Sequence, residues 1–187
     1  MIERSGATTN EALFFMYGAH KAVEHKRKYT GECYSVHPID VYQTLLYDGG
    51  ITDYASASNH NMLIAALLHD VLEDTGVSYK DIQVLFGDDV AELVNGLTDV
   101  SKPEDGNRET RKRIDREHTA RQSARCKTIK LADLISNTKS IVQHDKEFAK
   151  VYMAEKKLLL EVLQEGNVEL LKIATELVNS YYSNWGV

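Results

Sequence analysis

The sequence predicts an all-α fold, and three observations carry that reading. Apolar residues recur at helical spacing in the long segments, as in Leu170, Ile173, Ala174, Leu177 and Tyr181. Only two prolines, Pro38 and Pro103, occur in 187 residues. Helix-start and helix-stop residues punctuate the chain, Ser78 with Asp81 and Gly166 with Asn167 among them.

Taken in order, Asn10 is placed to cap a first helix running towards Lys28. Tyr29 to Glu32 reads as a turn, and the stretch through Val36 as extended, because the residue before a proline avoids the α region. Pro38 suits the first turn of a helix that ends near Asp48-Gly49-Gly50. A helix that is apolar on nearly every side then carries His69-Asp70 and stops around Asp74-Thr75, with Gly76 available as a left-handed cap. Ser78 and Asp81 form a capping box for a short helix closed by Gly87. Val90, Leu93, Val94 and Leu97 mark the next helix, and Asp99 to Asn107 a mobile polar loop. A basic helix follows, from Arg108 to Arg116. Leu131 to Val142 and Phe148 to Leu163 are two more amphipathic stretches. Gly166-Asn167 ends the second of these and caps the last helix. No repeat, low-complexity tract or Pro/Gly/Ser-rich linker divides the chain, so residues 1–187 read as one compact all-α domain. Tyr181, Tyr182 and Trp185 are expected to pack on that domain's own core.

Composition narrows the function classes. A formal net charge of −6 disfavours general binding to DNA or RNA. No segment reaches the ~20 apolar residues of a membrane span, and no signal-peptide pattern is present. Cys33 and Cys126 stand alone, as reduced thiols in a cytoplasmic protein do.

The chemistry concentrates at His69-Asp70. Burying a carboxylate in an apolar helix requires a cation, a metal or several donors. His37 before Pro38 and Asp133 in Lys130-Leu131-Ala132-Asp133 supply further ligand-type groups. The order His37, His69, Asp70, Asp133 is the pattern of one divalent metal held by two imidazoles and two carboxylates. That mixture suits Mn, Fe, Co or Zn better than Ca or Mg. Glu73 and Asp74 project from the turn after His69 and Asp70. Two acids at a helix C-terminus oppose the helix dipole, which points to a use for them. Lys130, Ser136, Asn137 and Ser140 share a helix face with Asp133. Arg111 belongs to a basic run that reads either as a solvated face or as a source of cations for phosphate. His20, His25, His60, His118 and His144 read as surface or packing residues. His60 lies nine positions before His69, ~13 Å along the axis, too far to share an ion.

Lys28 to Pro38, Ala65 to Thr75, Phe86-Gly87 and Lys130 to Asn137, in that order, resemble the HD-type hydrolase domain of the RelA/SpoT family. The chain is similar to a stand-alone small alarmone hydrolase of that family. The resemblance implies metal-dependent removal of the 3′-diphosphate from (p)ppGpp, with Mn2+ as the usual cofactor. It implies His37, His69, Asp70 and Asp133 as metal ligands and Glu73 with Asp74 as the water-activating acids. It places Asn137 and Ser140 at the nucleotide, and Lys28 and Tyr29 near the base. Lys28-Tyr29, Leu134 and Ser136 depart from the residues common in the family, which leaves the base open between guanine and adenine. Another HD-type phosphohydrolase, a nucleotidase or an NADPH 2′-phosphatase, is the nearer alternative. A non-catalytic nucleotide sensor is the farther one. Homo-oligomer formation is left open.

Overall fold

A computed structural model describes residues 7–185. Its first helix, α1 (Thr9–Ala22), is started by Thr8 rather than Asn10. The Thr8 hydroxyl accepts from the Glu11 N–H at 3.2 Å, and the Glu11 carboxylate accepts the Thr8 N–H at 2.7 Å. This reciprocal pair satisfies two end donors, where Asn10 would satisfy one. α1 also stops six residues short of Lys28. Glu24 takes a positive φ of 53° there, and the chain doubles back through an isolated bridge between Lys26 and Cys33.

α2 (Val36–Tyr47) holds His37 and Pro38 in its first turn. Val36 is therefore helical, not extended as expected from its place ahead of the proline. The reason lies in the preceding turn, where the N–H groups of Val36 and His37 reach the carbonyls of Cys33 and Tyr34. α3 (Ala57–Leu68) begins at Ser56, whose hydroxyl accepts from the Asn59 N–H. It ends one residue before His69, and a separate short helix, α4 (Val71–Asp74), follows. The one continuous helix expected across His69-Asp70 is thus broken at the pair itself.

α5 (Tyr79–Phe86) carries the expected capping box between Ser78 and Asp81, and Gly87 closes it at a φ of 89°. α6 is Asp88–Leu97. The segment after it is tied down rather than loose. Asp115 accepts the N–H groups of Val100 and Ser101 at 3.1 and 2.9 Å, and Pro103–Asp105 forms a 3-10 turn. α7 (Arg108–Ala120), α8 (Ala124–His144), α9 (Lys146–Val162) and α10 (Val168–Trp185) complete the order. Among the described residues the fold is all-α, with no strand. No helix of the described residues is long and apolar enough to cross a membrane.

The chain divides into two compact units, Met1–Thr98 and Asp99–Val187. In the first, Met62 to Leu68 are buried without interruption. A helix apolar on all sides has to be enclosed by others. α1, α2 and α6 pack on α3, α5 packs on α6, and α4 packs on α1. In the second, α8 contacts α9 and α10, and α7 lies on α9. Ile129, Leu131, Leu134, Ile135, Met153 and Leu163 form the centre of that unit's core. Asn167 caps α10 as expected, its side-chain oxygen accepting from the N–H groups of Glu169 and Leu170. Tyr181 is buried. The Trp185 side chain lies outside the described residues.

Candidate metal centre

His37 and His69 reach one place from two different helix ends. His37 sits in the first turn of α2 and is 2% exposed. His69 caps α3 and is also 2% exposed. The break after Leu68 gives Asp70 a φ of −99° and a ψ of −3°, which turns its carboxylate back towards the two rings. The Oδ2 atom of Asp70 lies 2.9 Å from Nε2 of His69 and 3.6 Å from Nε2 of His37. Ligating atoms of the three residues all fall within 4.8 Å of one another.

The donor set fits a metal ion. His69 Nδ1 lies 2.8 Å from the Ala66 carbonyl oxygen. A carbonyl only accepts, so Nδ1 carries a proton, which leaves Nε2 facing Asp70 as a ligand atom whenever the ring is neutral. Two lone-pair atoms at that distance need a proton or a metal ion between them. Bonds of about 2.1 Å to one ion give ligand separations of about 3.0 Å in octahedral and about 3.4 Å in tetrahedral arrangements. The two distances observed lie close to that range.

Tyr34 completes the wall. Its hydroxyl donates to Asp70 Oδ2 at 2.5 Å, and its ring meets His37 edge-on, with centroids 5.7 Å apart. On its other side it stacks flat on His25, at 3.7 Å and 11°. Beyond Tyr34 lies a second group, His20, His25 and Asp74. His20 and His25 are expected from the sequence to be surface or packing residues. His20 is indeed fully buried, but its neighbours are titratable. Burial, reinforced by His25, His69 and His37 and opposed by Asp70, pushes its imidazole down to about 4. The carboxyl of Asp74 is pushed above the ordinary carboxylate range, first by desolvation and then by the nearby charge of Asp70. Nothing in the spacing of His20, His25 and Asp74 signals their meeting; α1 packing on α4 creates it. His60, the competing histidine of α3, is occupied by the Ala7 carbonyl at 2.8 Å.

Other candidates fall in separate places. Glu73 and Asp74 are in α4, directly after the triad. Lys28 and Tyr29 lie in the loop after α1, the ammonium 4.8 Å from the ring centroid. Asp133 belongs to the second unit, on α8, and is 8% exposed. There Asn137 donates to its Oδ1 at 2.6 Å, and the Lys130 ammonium lies 3.3 Å from its Oδ2. Three members of the stripe expected on that face, Lys130, Asp133 and Asn137, are therefore bonded to one another. Ser140 lies further along α8, its carbonyl taken by His144. Arg111 is on α7, with its Nε buried and without a hydrogen-bond partner among the described residues. Other members of the basic run pair with acids, Arg108 with Glu155 through two bonds and Lys112 with Asp99.

A helical scaffold that presents a histidine from one helix and a His-Asp pair from the end of another defines an HD-type domain. The family model described as an HD domain matches residues 15–177, and the chain belongs to that family. It is 40% identical over 126 residues to the guanosine-3′,5′-bis(diphosphate) 3′-pyrophosphohydrolase MESH1 of Drosophila melanogaster, an alignment covering 67% of this chain and 65% of the fly protein. Against MESH1 of Danio rerio it is 34% identical over 137 residues, 73% of this chain and 71% of that one. A solved structure of a metazoan ortholog of SpoT, described as hydrolysing ppGpp, superposes with a TM-score of 0.81 at 31% identity, covering 97% of each chain. Membership of the HD family implies a divalent metal, and the triad supplies ligand groups for one.

Proposed function

We propose that residues 1–187 act as a single HD-type domain that removes the 3′-diphosphate of a nucleotide alarmone, (p)ppGpp or (p)ppApp. The products are the nucleoside 5′-di- or triphosphate and pyrophosphate. The observation that carries this reading is the convergence of His37, His69 and Asp70 beside the acids Glu73 and Asp74, in a chain similar to named ppGpp pyrophosphohydrolases. The family match runs through both units, which supports one working domain.

His37, His69, Asp70 and Asp133 would hold the ion, with Mn2+ as the proposed cofactor. When bound, such a cation supplies charge for the phosphoryl oxygens and acidity for a water. Glu73 and Asp74 handle protons. Desolvation and the charge of Asp70 raise the Asp74 carboxyl, so it holds a proton more readily than an ordinary aspartate, and the two adjacent acids divide the roles of acceptor and donor. Water contributes its oxygen to phosphorus, the bond from phosphorus to the ribose 3′ oxygen breaks, and the water proton passes through the acids to that oxygen. Arg111 and Lys130 are assigned to the phosphates, and the unsatisfied Nε of Arg111 supports its share. Asn137 and Ser140 are assigned to the nucleotide, and Lys28 with Tyr29 to the base. The two cysteines are free thiols, in keeping with a cytoplasmic location.

The test is a panel of nucleotides incubated with the Mn2+-loaded protein, with products identified. Pyrophosphate from a 3′-diphosphorylated guanine or adenine nucleotide is expected. Orthophosphate from a nucleotide monophosphate or from NADPH would replace this reading with another HD-type phosphohydrolase. Tight alarmone binding without turnover in any metal would make the protein a sensor.

A further inference from the structure

The group beyond Tyr34 has the composition and geometry of a second metal centre. His20 Nδ1 lies 3.3 Å from His25 Nδ1, and His25 Nδ1 lies 3.7 Å from Asp74 Oδ2. Two ligands bound at about 2.1 Å in a tetrahedron stand about 3.4 Å apart, and these two separations fall on either side of that value. All three ligating atoms lie within 4.8 Å of one another. Two imidazoles and one carboxylate suit Zn, Co, Ni or Fe and are a poor cage for Ca or Mg. A ligating imidazole must be neutral, and the complete burial of His20 keeps it so. Access exists as well. An open depression of about 300 Å³, lined by Lys21, Glu24, His25, Lys26 and Cys33, leads to His25 from solvent.

We infer that His20, His25 and Asp74 form a second transition-metal site, sharing no ligand with the His37, His69 and Asp70 centre. Tyr34 separates the two, its hydroxyl on Asp70 and its ring face on His25. The competing account is an N–H···N hydrogen bond between His20 and His25 with no ion. A hydrogen bond at Nδ1 and an ion on Nδ1 leave the buried Nε2 of His20 equally without a partner, so the metal content of the protein is what separates the two accounts. An ion bound there would hold Asp74 as its carboxylate, so the sharing of proton roles with Glu73 belongs to the protein without that ion. The inference does not depend on which phosphoester the protein cleaves.

The experiment is metal counting on the tag-free full chain. Metal-free protein is dialysed against Zn2+ and, separately, Co2+, and the bound metal is measured by mass spectrometry. Two equivalents per chain are expected for the natural sequence. One is expected for His25→Ala and one for His69→Ala, and none for the double variant. With Co2+, the visible absorption of a low-coordinate site should fall in His25→Ala. His25→Gln, which keeps more of the packing against Tyr34, guards against misfolding, and far-UV circular dichroism checks the fold of each variant. One equivalent in the natural sequence, or two retained in either His25 variant, overturns the inference.

Discussion

Gly166→Ala tests the packing of the second unit directly. A Cβ built on Gly166 would lie 2.7 Å from Leu131 Cδ1, 3.1 Å from the Leu163 carbonyl oxygen and 3.2 Å from the Lys127 carbonyl carbon. Carbon atoms in contact normally stand about 3.5–4.0 Å apart, so the first overlap approaches 1 Å. Leu131 is fully buried and cannot swing out, and the other two atoms are backbone. Overpacking of this kind costs about 1–3 kcal/mol. Alanine returns about 0.4–1 kcal/mol by restricting the unfolded chain, leaving a net loss of about 1–2 kcal/mol. For a chain of this size that corresponds to a Tm lower by about 2–8 °C. Gly18→Ala is the matched control. Gly18 is exposed within α1 and a Cβ there meets nothing within 4 Å, so alanine should stabilise by about 0.5–1 kcal/mol. Thermal melts followed by circular dichroism should move in opposite directions for the two variants. A Gly166→Ala protein as stable as the parent would refute the close packing of the turn between α9 and α10 against α8.

Further outcomes concern the site. Tyr34→Phe removes the donor to Asp70 Oδ2 and should weaken metal binding by about 10–100-fold, measured against a competing chelator; unchanged affinity would mean that Tyr34 does not orient Asp70. Glu73→Gln should abolish turnover while metal content stays near normal, and loss of the metal would instead make Glu73 a ligand. Asp133→Ala should lose metal and activity together, and a fully active, metal-loaded variant would remove Asp133 from the site. Desolvation lowers His20 from 6.5 to about 4 in the folded chain, so the unfolded state takes up the proton first. Its stabilising contribution is present above pH ~6.5 and is lost as pH falls towards 4, about 3 kcal/mol across the window. Urea midpoints at several pH values should fall less steeply in His20→Gln, and identical slopes would show that His20 does not govern this range.

Much was legible in the residues themselves. Helix-capping pairs such as Ser78 with Asp81 act within three residues, so their geometry is written locally. The faces of α8 and α10 follow from spacing, because a helix repeats about every 3.6 residues. His37, His69 and Asp70 stood out by their chemistry, since imidazole and carboxylate in an apolar setting demand a cation. Errors came where local competition was close. The cap moved from Asn10 to Thr8 because Glu11 made a reciprocal pair available, and Asp115 fixed a loop whose composition read as mobile.

The sequence alone determined an all-α chain, most of its helix ends to within a few residues, and the types of group that a metal would meet. Tertiary structure decided which of those groups meet. His20 and Asp74 are far apart along the chain, and only the packing of α1 on α4 brings them together. The ring of Tyr34 lies between two clusters because the turn before α2 places it there. The physical reason is range. Hydrogen-bonding and steric preferences act over a few residues and can be read in order, whereas convergence of distant side chains depends on how whole helices bury their apolar faces.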